Sequence, residues 1–202
     1  MKVMKTMKQF LKVVLVAMAI IIVAQTKVYS QWKPRSLNVA FLSESVSVPF
    51  GQIVTNPVHP GVSVGTDLMV KDQTSWYRSF GVEAGYYYHE LYEHAIMLDG
   101  IYKFGYTFNF KLRANLTGAL GYKHSILSGD TYVLKSGTYT AQQHPGKSQV
   151  NTKIGFGLAY PVTNKVSLTA DYQGMIAIPY APEKEMPFST HALIKIGTVI
   201  NF

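Results

Sequence analysis

Thr190-His-Ala-Leu-Ile-Lys-Ile-Gly-Thr-Val-Ile-Asn-Phe202 closes the chain. From Ala192 its even positions (Ala192, Ile194, Ile196, Thr198, Ile200, Phe202) are mostly apolar, while the odd ones include Lys195, Gly197 and Asn201. A period of two marks a β-strand with unlike faces, one suited to an apolar surrounding and one tolerant of charge. Working back along the chain, the same alternation marks seven more segments: Leu37–Val48, Gly61–Lys71, Trp76–His89, Ala95–Phe108, Lys111–His124, Val150–Tyr160 and Val166–Ile178. In Gly61–Lys71, for instance, Val62, Val64, Thr66, Leu68 and Val70 oppose Ser63, Gly65, Asp67, Met69 and Lys71. Turn-forming stretches separate the segments, and the polar Ser125–Gln149 reads as a long exposed loop.

The other end of the chain has a different composition. Lys2, Lys5, Lys8 and Lys12 precede the uncharged run Val13–Ala24, the layout of a secretory signal peptide. That run is shorter than the roughly 20 apolar residues that span a bilayer as a helix. Residues 1–30 are therefore expected to be removed, with Val28 and Ser30 suited to cleavage before Gln31 and a cut after Ala24 as the alternative. The formal charge of +8 falls to +3 once Lys27 and the four earlier lysines are set aside, leaving 14 bases against 11 acids. Nothing in that balance calls for nucleic acid as a partner. The lack of cysteine excludes disulfides, thiol catalysis, thiolate metal sites and a lipidated cysteine. The remaining residues 31–202 fit one domain.

Eight segments, an even number, close into an antiparallel ring without a bare edge. Connections after the second, fourth and sixth are short, and those after the first, fifth and seventh are longer. The minority face carries Asp67, Lys71, Glu83, Asp99, Lys103, Arg113, Lys123, Lys153, Asp171 and Lys195. A soluble ligand-binding barrel would have to point these at water and enclose every Tyr, Phe, Leu and Ile of the other face, more bulk than eight strands hold. Charges inside and apolar side chains outside is the arrangement of a barrel in lipid, where closure satisfies each backbone group. Aromatic residues on the apolar face lie near strand ends, with Trp76, Tyr106, Phe108, Tyr160 and Phe202 at one rim and Tyr86, Tyr88 and Tyr122 at the other, as interfacial girdles do.

Residues 36–202 thus resemble the small eight-stranded outer-membrane barrels of the OmpA/OmpX-like superfamily. The leader, the Gln31 start and His-Pro-Gly at 59–61 are similar to such proteins of Bacteroidetes-type bacteria. The resemblance implies an all-β, eight-stranded antiparallel up-and-down transmembrane β-barrel in a Gram-negative outer membrane. It also implies a closed polar lumen and contact with outer-membrane lipid and lipopolysaccharide. Expected roles are structural or interaction-based, including that of an accessory subunit beside another outer-membrane protein. No cofactor is expected.

Asp67, Glu83, Asp99, Lys103, Arg113, Lys153, Asp171 and Lys195 are expected to form a charge network that plugs the lumen, because buried charges persist only when paired. All six histidines fall at the long-loop end, and His59, His89, His94, His124 and His191 are candidate ligands of a metal or haem iron. His89-Glu-Leu-Tyr-Glu-His94 has its histidines five apart and turns a hairpin, so it is not the metalloprotease motif. Glu90 and Glu93 are expected at its solvated tip. A lipid A or phospholipid-modifying hydrolase would draw on His124, Ser125, Ser128 and Asp130, or on Ser189 with His191. His124 and Ser125, adjacent in a strand, face opposite ways and cannot pair. No catalytic motif is present, so no catalytic residue is assigned.

Overall fold

A computed structural model describes residues 32–47, 58–129, 131–135, 138–142, 146–179 and 187–202. The expected signal peptide, Asp130 and His144 lie outside the described residues. Ten strands are present: β1 Ser36–Ser45, β2 His59–Gln73, β3 Trp76–Tyr88, β4 Glu93–Thr107, β5 Arg113–Leu127, β6 Thr131–Lys135, β7 Thr138–Gln142, β8 Lys147–Pro161, β9 Val166–Ile178 and β10 Ser189–Asn201. Eight of them form a closed barrel in the order β1-β10-β9-β8-β5-β4-β3-β2, and β6 pairs only with β7. Every barrel pairing is antiparallel, and the ring is sealed by β1 against β10 from Ser36↔Asn201 to Ser45↔Ala192. The Phe202 N–H donates to the Arg35 carbonyl (3.0 Å), so the ladder continues to the last residue.

The expected all-β, eight-stranded up-and-down barrel is the observed one. Exposure follows the parity read from the sequence: Leu116, Leu120, Ile154, Phe156 and Ile196 are exposed, while Thr117, Asn151, Lys153 and Lys195 between and beside them are buried. An exposed apolar belt around a buried polar interior inverts the arrangement of a water-soluble protein. The belt is flanked by aromatic rims. At the short-turn rim, Trp76 stacks on Phe104 and meets Tyr106 edge-on, each at 5.1 Å between centroids.

Four expectations need correction. Ser125–Gln149 is not a structureless loop: β5 and β8 both extend into it, and β6 and β7 form a separate hairpin within it. Lys111 does not begin a strand, because at φ 67° it takes the left-handed conformation that completes the Phe108–Leu112 turn. Parity also reverses within β2. Asp67 pairs with Gly81 but Met69 pairs with Phe80, leaving Leu68 as the extra residue of a β-bulge. Past it, Met69 and Lys71 are exposed, and Val70 pairs with inward-facing Ser79. Lys71 therefore drops out of the lumen charges.

The fourth correction concerns the lumen, which is not polar throughout. Leu42, Tyr87, Ala95, Met97, Met175 and Leu193 share the inward parity and pack together, each essentially inaccessible. Gly61 makes room for this layer, since a Cβ there would sit 2.6 Å from Leu42 Cδ1.

Ile154 sits at the middle of β8 on the exposed belt. Ile154→Arg is expected to lower folding stability in lipid vesicles by about 2–4 kcal/mol, the cost of a cation near the bilayer midplane. Urea titration with lipid-bound folding as the readout measures this. An unchanged midpoint would mean that the belt does not face acyl chains.

Candidate functional site at the loop end of the lumen

Four layers of side chains follow one another along the bore. Toward the short-turn end, Asp67 accepts from Ser36 Oγ (2.7 Å) and from Asn38 Nδ2 (3.3 Å). The Arg113 guanidinium lies 3.7 Å over the Tyr77 ring. An open cleft of about 710 Å³ reaches Tyr77 and Arg113 from the short-turn mouth, lined in part by Arg35, Asp72, Lys111 and Phe202. At the waist, Lys153 Nζ bonds Asp99 Oδ2 at 2.6 Å and touches Met97 Sδ at 3.4 Å, and Lys195 pairs with Glu83. Lys103 and Asp171 line a void of about 20 Å³ with Glu83 and Lys195, and a second void beside Asp67 is about 10 Å³. Such spaces hold roughly one water each.

The expected charge set therefore divides. Asp99 with Lys153 and Glu83 with Lys195 come together as ion pairs, with Lys103 and Asp171 beside the latter. Asp67 is held by hydroxyl and amide groups, and Arg113 by an aromatic face.

The densest polar cluster lies beyond the apolar layer, at the loop end. Glu93 opens β4 and is buried, contrary to the expectation of a solvated hairpin tip. Its Oε1 accepts from Lys123 Nζ and from the Tyr87 hydroxyl, each at 2.5 Å. Lys123 Nζ also lies 3.1 Å from His191 Nε2. On the other side of that ring, His191 Nδ1 is 2.7 Å from Glu44 Oε1. Glu44 and His191 are fully buried. Glu44 was not singled out in the sequence, although it shares the inward parity of Asn38 and Leu42, and Glu93 was read only as part of a solvated tip.

The histidines separate into two groups. His94 faces outward between Tyr86 and Tyr88, with ring centroids 6.2 and 6.3 Å away, and His124 lies beside Tyr122, whose hydroxyl is 3.2 Å from its Nδ1. These two belong to the aromatic rim and are not brought to the others. His59 and His89 stack at 3.5 Å between centroids, and one donor atom each of Glu44, His59 and His89 lies within 4.8 Å of the others. His59 Nδ1 is 2.9 Å from the Glu44 carbonyl oxygen. Burial and the neighbouring His59 hold the His89 imidazole below its usual pKa, which favours the neutral ring at pH 7.

Ser189 Oγ is 3.0 Å from His191 Nε2, so Ser189, His191 and Glu44 make the contact sequence of a nucleophile, a base and an orienting carboxylate. Two features oppose its use. Lys123 Nζ approaches the same nitrogen that would accept the serine proton, and Ser189 is itself buried. Of the other hydrolase candidates, Ser125 points inward to Gln149 Oε1 (3.3 Å), away from His124, and Ser128 donates to the His89 carbonyl (2.8 Å).

No protein-family model matches the sequence, and no curated protein matches it. Solved structures resemble it in fold. Neisserial surface protein A aligns with a TM-score of 0.51 at 11% identity, over 83% of this chain and 95% of that one. Ail, the attachment invasion locus protein of Yersinia pestis, aligns at 0.49 and 9%, over 84% and 100%. The outer membrane enzyme PagL aligns at 0.48 and 12%, over 83% and 99%. At these identities the likeness is one of fold, a closed eight-stranded antiparallel barrel.

Removing one member of a buried ion pair strands its partner, which typically costs about 3–5 kcal/mol. Lys153→Met is expected to destabilise the barrel by about that amount, whereas Lys153→Met with Asp99→Leu recovers most of it. With Asp99→Leu alone completing the cycle, a double variant whose loss in urea unfolding equals the sum of the two single losses would show that the pair is not coupled.

Proposed function

We propose that this protein is an integral outer-membrane barrel with a sealed lumen, whose role is structural or interaction-based and is carried by its loop end. The supporting observation is the closure of the bore at the waist and above it. Two waist ion pairs, the six-residue apolar layer and the Glu93–Lys123–His191–Glu44 cluster stand across the bore, with voids of only about 20 and 10 Å³ at the waist. Eight strands give a bore just wide enough for side chains to fill, and above the cleft at the short-turn mouth they close it at the waist. What is left to act on surroundings is the exposed belt, which meets lipid, and the loop end with its β6–β7 hairpin. On this reading the loop end faces the cell exterior and the short turns face the periplasm, with lipopolysaccharide around the outer rim. A neighbouring outer-membrane protein is the partner class this reading favours.

In planar bilayers the purified protein is expected to leave conductance at the level of bare lipid. Reproducible channel openings would overturn the sealed lumen. Removal of residues 131–142 is expected to leave the heat-modifiable folded band intact and to abolish cross-linking to a stoichiometric partner in native membranes. A protein that cross-links to nothing with its loops complete would contradict the interaction role.

A second reading, hydrolysis of a lipid ester, has the Ser189–His191–Glu44 contacts in its favour. Acyl release from lipid A or phospholipid that disappears in Ser189→Ala would establish it. Unchanged lipid after prolonged incubation with folded protein would remove it.

A further inference from the structure

Glu44, His59 and His89 come from three elements: the penultimate residue of β1, the first residue of β2 and the residue after β3. Their nearest donor atoms lie within 4.8 Å of one another. The sequence offers no spacing that would have found the set, since 45 positions separate its ends.

Three observations go beyond proximity. Glu44 is wholly buried, and one carboxylate oxygen is occupied by His191 Nδ1 at 2.7 Å. The other, Oε2, has no hydrogen-bond partner among the described residues. A buried carboxylate oxygen left without a donor is costly, so its environment is incomplete as it stands. His89 Nδ1 is likewise buried and without a partner among the described residues. Thirdly, the other ring nitrogen of His59 is already committed in the way a metal site requires. A Nδ1–H on His59 that donates to the Glu44 carbonyl (2.9 Å) leaves Nε2 with its lone pair free. His191 in turn fixes the carboxylate of Glu44 from behind, with Lys123 and Ser189 at its other nitrogen. Outer partners that lock the tautomer of a ligating histidine and the rotamer of a ligating carboxylate recur around bound metals.

We propose that Glu44, His59 and His89 form a binding site for a first-row divalent transition metal such as Zn²⁺, in which Glu44 Oε2 and one nitrogen of each imidazole are the ligands. Two imidazoles and one carboxylate without a thiolate select this class over Ca²⁺ and Mg²⁺, which take all-oxygen sets. Three protein ligands leave at least one position for water or an external group. Ligand atoms up to 4.8 Å apart close on a metal with bonds of about 2.0–2.1 Å when one of the stacked His59 and His89 rings turns so that the two in-plane lone pairs converge. The metal would tie β1, β2 and the β3–β4 turn together at the loop end. The site stands or falls independently of whether the lumen conducts.

The test uses full-length mature protein without a histidine tag, folded in detergent, stripped with chelator and titrated with Zn²⁺ alone. One equivalent is expected to bind per chain. His59→Gln with His89→Gln is expected to lower the affinity more than about 100-fold, beyond the loss of an outer-shell partner. His94→Gln with His124→Gln, which alters only the outward pair, is expected to leave affinity unchanged. Retention of the heat-modifiable band confirms folding of each variant. X-ray absorption on the Zn²⁺-loaded protein supplies an independent readout, with scattering from two imidazoles expected. Absence of saturable binding, undiminished binding in the His59/His89 variant, or a spectrum without imidazole scattering would each overturn the proposal.

Discussion

A backbone in hydrocarbon has no water to bond, so each N–H and C=O in the spanning region needs a partner on a neighbouring strand. A sheet meets that demand only by closing, and the β1–β10 pairing, ten residues long and continued by Phe202, is where this one closes. Closure fixes the rest. Once eight strands are locked in a ring, alternate side chains must face either lipid or the bore, and the bore must be filled by whatever the second set provides. The exposed Leu, Ile and Phe belt and the buried Lys, Asp and Glu are two outcomes of one geometric condition.

Filling the bore sets opposing demands. Long charged side chains occupy volume but lose hydration, and the attraction within a pair offsets that loss only when contacts are close. Lys153 with Asp99 and Lys123 with Glu93 meet this at 2.6 and 2.5 Å. Glycines supply the room: a Cβ at Gly157 would run into the Asp171 carboxylate. The packed Leu42, Met97, Met175 and Leu193 need no partners and separate the waist from the loop-end cluster. Three ionisable side chains of the bore each keep an atom unmatched among the described residues: Arg113 Nε toward the short turns, Asp99 Oδ1 at the waist, and Glu44 Oε2 in the loop-end cluster, the last beside His59 and His89.

How much of this was legible in the sequence follows from what period-two alternation can encode. It gives the strands and their lipid faces, because Ile196 beside Lys195 or Ile154 beside Lys153 leaves one choice of side. It fails where a local insertion resets the count, as at Leu68, since a bulge needs no special residue to announce it. It also fails for inward apolar residues. Leu42 and Leu193 look misplaced on a face otherwise read as charged, and only packing shows them to be a layer. Partners around a ring depend on shear and tilt, which no single strand carries, so Glu44 with His191, 147 positions apart, was beyond reach. The histidines illustrate the limit: their common rim was visible, but the division between outward His94 and His124 and clustered His59, His89 and His191 follows from parity and turn geometry together.

The inversion at the centre of this structure is open to a measurement that needs no substitution. Methyl-labelled protein in lipid nanodiscs would be recorded with and without lipid carrying a nitroxide on its acyl chain. Broadening of the Leu116, Leu120, Ile154 and Ile196 methyls, with those of Leu42, Leu193, Met97 and Met175 left sharp, is the expected result. Broadening of the second set with the first set spared would contradict it, since the apolar residues assigned to the bore would then be the ones touching lipid.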